Sequence, residues 1–147
     1  MKPQQPQLPE ECKNYKVLND SRRKASNGIG KNCDHFRRKC DNTDWKGPNW
    51  YRFEEPAGTQ IPEKVVPWKH CGTWVGGHIS KGYTHPKSLR EVVNAKVCFS
   101  HAGYNGKSPT VEDCHSKQPI KIRNCGFYFL YELSDFQKGT FGAYCAV

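Results

Sequence analysis

A chain of 147 residues with 35 % hydrophobic content, 13 Gly and 10 Pro has room for one compact domain with a modest core and many loops, not for two domains. Its 23 Lys and Arg against 14 Asp and Glu give a formal net charge of +9, which draws acidic partners. No apolar stretch nears the ~18 residues that span a bilayer, because the longest cluster, Phe127 to Tyr131, has only a strand's length, so a membrane span is excluded.

Residues 1–11 are rich in Pro and Gln and read as a flexible tail or linker, since proline disfavours helix and nothing apolar is there to bury. They contain no hydrophobic signal core. The folded domain is expected over 12–147. From Asn19 to Cys40 the segment is polar and basic with no sustained period, which predicts loop with a helical turn around His35 to Lys39. Trp50-Tyr51-Arg52-Phe53 alternates aromatic and polar residues between prolines and predicts a short strand. Thr73-Trp74-Val75, Val92 to Phe99, Ile120 to Arg123 and Cys125 to Leu133 have the same character. Gly76-Gly77, Tyr83 to Pro86 and Tyr104 to Pro109 carry turn and loop chemistry. The expected fold is a mostly β, small, disulfide-rich single domain of short antiparallel strands with long loops and little helix.

Eight cysteines are spread from Cys12 to Cys145, an even number of the kind that staples small domains in oxidising compartments. Zinc needs closely paired ligands. Here Cys33 and Cys40 stand seven apart and every other gap is wider, so disulfides are favoured over metal. That places the protein outside the cell or on its surface.

The cysteines sit within an ordered series. Cys12 to Asp20 is followed by Cys40-Asp41, Trp50 to Phe53, Ala57-Gly58, Ile61-Pro62, Cys71-Gly72-Thr73 and Thr84-His85-Pro86. Lys96 to Phe99, Ile122 to Gly126 and Tyr144-Cys145 complete it. The series resembles the eight-cysteine extracellular domain of the uromodulin and pancreatic granule-membrane glycoprotein type. The resemblance implies a module that sits beside EGF-like, von Willebrand or zona pellucida domains, has no known catalytic set, and is linked to adhesion, often through glycans. It also implies the pairs Cys12 with Cys125, Cys71 with Cys145 and Cys98 with Cys114, which leaves Cys33 with Cys40. The chain departs from the family pattern in several places. A cysteine is missing near Val65, Cys114 stands alone where the family has two, Thr140 occupies another cysteine's place, and Cys33 is extra.

Catalysis is disfavoured, because paired sulfurs leave no thiolate and no Gly-x-Ser-x-Gly frame accompanies His35, His70, His78, His85, His101 or His115. The adjacent acids, Glu54-Glu55 and Glu112-Asp113, lie in polar surroundings that suit solvated surface better than a glycosidase pair. No cofactor and no metal are expected.

Two basic clusters, Arg22-Arg23-Lys24 and Arg37-Arg38-Lys39, are candidates for sulfated glycan or other polyanions, with an ordinary solvated surface as the competing explanation. Nucleic acid is not an expected partner, since no nucleic-acid module is present. Asn19-Asp20-Ser21 satisfies the glycosylation rule and makes Asn19 a candidate acceptor. Trp50, Tyr51, Phe53, Phe127, Phe129 and Tyr131 are expected to pack around the crosslinks, whereas Trp45, Trp68 and Trp74, near loops, are the candidates for stacking on sugar. The expected function is a non-enzymatic recognition or adhesion module that binds an extracellular protein or glycan, the alternative being a lectin-like or polyanion-binding domain acting on its own.

Overall fold

The structure, a computed structural model, describes residues 8–25, 49–64, 66, 75–100, 114–133 and 142–147. Two 3-10 turns, η1 (Glu10–Cys12) and η2 (Ser21–Arg23), flank the short strand β1 (Lys16–Leu18). Then follow β2 (Asn49–Phe53), β3 (Val75–Ile79), β4 (Val92–Ser100), β5 (Cys114–Asn124), β6 (Phe129–Leu133) and β7 (Gly142–Tyr144). They form one sheet in the order β1-β2-β6-β5-β4-β3-β7. The mostly β expectation is met. No helix among the described residues is long and apolar enough to cross a membrane.

The sheet is mixed. The inner pairings are antiparallel, but β1 pairs β2 and β7 pairs β3 in parallel. Short antiparallel strands alone therefore do not describe it. β5 runs 11 residues, well beyond the expected Ile120 to Arg123. Its first half is polar, which hid it, and Pro119 lies there, opposite Lys96 and beyond Lys121, the last residue described as paired to β6. With β4 as its one partner among the described residues, that stretch is the edge setting in which a strand tolerates proline.

Side chains alternate across the sheet, and one face forms the core. Tyr51, Phe53, Ala95, Val97, Phe99, Ile120, Ile122, Tyr131 and Leu133 point into it and are buried. Ile61, Ile79, Tyr144 and Ala146 complete that cluster. The segment after β2 and the C-terminal residues close over it by backbone pairing. Thr59 N–H donates to Val147 O at 2.8 Å, Val147 N–H to Gln60 O at 2.8 Å, and Ala146 N–H to Arg23 O at 2.9 Å.

Two expected assignments, one of turn and one of strand, are corrected by the structure. Gly76-Gly77 lies inside β3, not in a loop. A Cβ on Gly77 would stand 2.6 Å from Val97 Cγ1 and 2.8 Å from Phe99 Cε1, and one on Gly76 would stand 2.6 Å from Cys145 Sγ. Both faces of β3 are so closely covered that only glycine fits. Conversely, Cys125 to Tyr128, expected as strand, is the turn between β5 and β6. Gly126 takes φ +100°, its N–H is held by Asn124 Oδ1 at 2.8 Å, and Cys125 N–H donates to Tyr128 O at 2.9 Å.

Gly77→Ala is expected to cost about 1–3 kcal/mol through overpacking. Urea unfolding of the two proteins under non-reducing conditions measures it.

Candidate functional site

The residues before β1 form a strap across the outer face of the sheet. Cys12 in η1 and Cys125 at the end of β5 are disulfide-bonded across 113 residues, with Cα atoms 5.9 Å apart. Leu130, which points away from the main core, is buried beneath this bond, with Tyr15, Trp50 and Tyr128 packed around it. Glu11 accepts from Arg123 Nε at 2.8 Å, both side chains being mostly buried. Glu10 and Glu11, assigned to the tail by composition, thus belong to this ordered element.

Arg52, on the same outer face, is the organising cation. Its guanidinium lies 4.1 Å from the centroid of Tyr128, donates to Tyr15 Oη at 3.0 Å and stands 3.4 Å from Glu54. Tyr128 Oη donates to Cys12 O at 2.5 Å, which ties the turn to the strap. Burial, aided by neighbouring Tyr15 and opposed by Arg52, pushes the Tyr128 hydroxyl above its ordinary pKa, so it stays a donor.

Held at the tip of that turn, Phe127 is 101 % exposed. This corrects its assignment to the core. The residue follows the crosslinked Cys125 by two positions, where the left-handed Gly126 turns the chain outward. Beside it a shallow groove of ≈ 140 Å³ is lined by Arg52, Phe53, Thr59, Gln60 and Phe129 together with the turn itself.

A second polar group lies behind the groove. His85 is 8 % exposed, with Nδ1 2.7 Å from Glu63 Oε1 and Nε2 2.7 Å from Tyr131 Oη. Ile61 N–H donates to Tyr131 Oη at 3.0 Å. Nδ1, facing a carboxylate that can only accept, donates to Glu63, and the other ring nitrogen is hydrogen-bonded to the tyrosine hydroxyl. Hydrogen bonds from His85, side chain first and then backbone, hold the Glu63 carboxyl below its ordinary pKa. Tyr131 is wholly buried and its hydroxyl is pushed far upward by desolvation. Its oxygen is already committed on both sides, so the series braces the loop carrying Thr84-His85-Pro86 against the core and offers no free nucleophile. No group of three or more His, Cys, Asp or Glu among the described residues is placed to hold a metal ion.

The other sequence candidates fall in different places. Asn19 is exposed just after β1. Arg23 is buried, with Nη1 donating to Tyr144 O at 3.2 Å, so it serves the fold and presents no charge to a surface ligand. Lys24 lies 3.8 Å from Glu55. Arg22 is in η2. Cys98 and Cys145 are disulfide-bonded. Cys114 begins β5 opposite Ser100. Cys33, Cys40, Cys71, Arg37, Arg38, Lys39, Trp45, Trp68 and Trp74, and the helical turn expected at His35 to Lys39, lie outside the described residues. Sequence reasoning missed the Arg52–Tyr128–Tyr15 cluster, whose members are far apart in the chain, and Phe127, for which Asn124 and Gly126 were the available turn signal.

A single β-sheet that packs the main core on one face and is strapped by a disulfide on the other defines a crosslinked β module. Residues 51–146 match the family model described as uromodulin-like. The chain belongs to this uromodulin-like family. It is 29 % identical over 132 residues to the pancreatic secretory granule membrane major glycoprotein GP2 of Canis lupus familiaris, covering 86 % of this chain and 21 % of that one. It is 28 % identical over 127 residues to the protein of the same name from Rattus norvegicus, covering 83 % and 20 %. The chain thus spans about a fifth of the length of the curated relatives it matches.

Two measurements follow. Replacing Cys12 and Cys125 together by Ala is expected to cost about 2–5 kcal/mol, read from denaturant unfolding, because the strap loses its tether and Leu130 its cover. The second concerns His78, which is buried on β3 with neither ring nitrogen hydrogen-bonded among the described residues. Desolvation lowers its pKa below 6.5, so the unfolded chain takes up a proton at higher pH than the folded one. Its contribution is complete above pH 6.5 and falls as pH drops through that value towards the folded pKa. Glu63 acts lower, its contribution being complete above pH 4.5 and lost as pH falls through its depressed folded pKa. His78→Leu is therefore expected to flatten the stability profile below pH 6.5 and to gain about 1–3 kcal/mol at the acid end. Thermal melts across that range check it.

Proposed function

We propose that the chain is a non-enzymatic, secreted or cell-surface recognition module whose contact point is the Phe127 turn. The observation that carries this is the full exposure of Phe127 on a turn that is otherwise fixed at every step. Exposing a phenylalanine forfeits roughly 1.5–3 kcal/mol of burial, a cost that a partner's surface recovers on contact. The crosslink at Cys125, the Arg52–Tyr128 stack and the Tyr128–Cys12 hydrogen bond pre-organise the ring, so little ordering entropy is lost on binding. An aromatic anchor beside a groove of mixed polarity, lined by Thr59, Gln60 and Arg52, is suited to a protein surface with an apolar recess.

Family membership supports the extracellular setting, as do the cysteines found in disulfides. The names of the relatives, membrane glycoproteins of secretory granules, agree with a secretory route. The non-enzymatic reading is supported by the closed Glu63–His85–Tyr131 series, in which both imidazole nitrogens are used by the fold.

The test is adhesion of epithelial cells to surfaces coated with equal densities of the wild-type domain and of Phe127→Ser. At least a tenfold loss of adherent cells is expected, with the melting temperature unchanged or slightly raised because the ring contributes nothing to the core. Equal adhesion of the two proteins would show that the turn is not the contact.

A further inference from the structure

The outer face of the sheet carries a second surface of different chemistry. In β5, Ile120 and Ile122 enter the core, so alternation sends Lys117, Pro119, Lys121 and Arg123 to the opposite side. β4 behaves likewise, with Ala95 and Val97 inward and Asn94 and Lys96 outward. The register sets Asn94 opposite Lys121, Lys96 opposite Pro119 and Cys98 opposite Lys117. Lys96 is therefore diagonal to both Lys117 and Lys121. Diagonal neighbours on one face lie roughly 7–8 Å apart at their Cα atoms, within the reach of flexible ammonium groups converging on one polyanion.

Arg123 is held by Glu11, but Lys96, Lys117 and Lys121 form no ion pair among the described residues. Glu132, opposite Lys121 on β6, does not pair with it. Beside them Trp50, opposite Glu132 on β2, is half-buried against the strap. Trp50, Val92, Val93, Asn94, Lys121 and Arg123 line an open depression of ≈ 190 Å³. An indole wall, an amide and an adjacent ammonium form a surface with a stacking plane, a hydrogen-bonding group and a positive charge. Positive charge alone would suit any polyanion. The ring and the amide at the edge of the lysines favour a sugar bearing anionic groups.

We propose that this outer face binds a sulfated polysaccharide, with Lys96, Lys117 and Lys121 on the sulfates and one sugar ring against Trp50 in the depression bordered by Asn94. The site is separate from the Phe127 turn and does not depend on its role. It also moves the basic binding surface away from Arg22-Arg23-Lys24, whose central residue is buried.

The test is titration of the full, disulfide-intact chain with size-defined heparin at several salt concentrations. A triple variant, Lys96→Gln with Lys117→Gln and Lys121→Gln, is expected to bind at least tenfold more weakly at physiological salt, and the slope of log affinity against log salt is expected to flatten with the loss of contacting cations. A control of equal charge change, Lys16→Gln with Lys64→Gln and Lys87→Gln, is expected to lose less than threefold. Asn94→Ala is expected to weaken heparin while sparing polyphosphate, which has no sugar. Phe127→Ser is expected to leave heparin affinity unchanged, which separates failure of this site from failure of the turn. Equal losses in the two triple variants would overturn the proposal by showing that net charge alone acts. So would equal affinity for heparin, polyphosphate and single-stranded nucleic acid, or no binding at physiological salt.

Discussion

The bond between Cys12 and Cys125 governs how the two faces of this sheet are used. One face buries a continuous set of aromatic and aliphatic side chains. The other is mostly polar, yet it carries Leu130, which needs cover. The crosslink supplies that cover by fixing η1 over the outer face, and it limits the conformations open to the unfolded chain across 113 residues. Once η1 is in place, Glu11 reaches Arg123, Tyr15 reaches Arg52, and the carbonyl of Cys12 accepts from Tyr128. Each of these contacts joins the strap to the sheet or to its β5–β6 turn.

That arrangement explains why two surfaces of unlike chemistry stand near each other. The strap covers only the end of the outer face near the turn. Beyond it lies the polar alternation of β4 and β5, and with it the lysines that the main core cannot accept. At the turn itself, covalent and cation–π restraint keep the backbone fixed while leaving Phe127 in solvent. A rigid aromatic projection and a flat cationic face are different tools, the first suited to a recess in a protein and the second to an extended acidic chain. Behind them, Glu63, His85 and Tyr131 show how a buried polar series serves architecture: both ring nitrogens and the tyrosine hydroxyl are hydrogen-bonded, so the loop after β3 is braced without an unsatisfied group. His78 shows the contrary case, a buried ring with no hydrogen-bond partner among the described residues, and makes acid the condition that weakens the fold.

By itself the sequence determined the class of the molecule. Cysteine number and spacing gave a crosslinked module, aromatic alternation placed β2, and the apolar run of β4 was found almost to its ends. These signals are local, so they survive without coordinates. The period-two pattern of Lys117, Lys121 and Arg123 around Ile120 and Ile122 was also present in the sequence, although polarity concealed the length of the strand. Tertiary structure alone decided the rest. Gly76-Gly77 has the composition of a turn and lies in a strand because Val97, Phe99 and Cys145 crowd both sides of it. Arg23 belongs to a basic cluster by composition and is buried because Tyr144, 121 residues away, offers its carbonyl. Phe127 sits in the most apolar run of the chain and is exposed because Gly126 turns there. Composition states what a side chain prefers; whether it is granted depends on residues distant in the chain, and only folding brings those together.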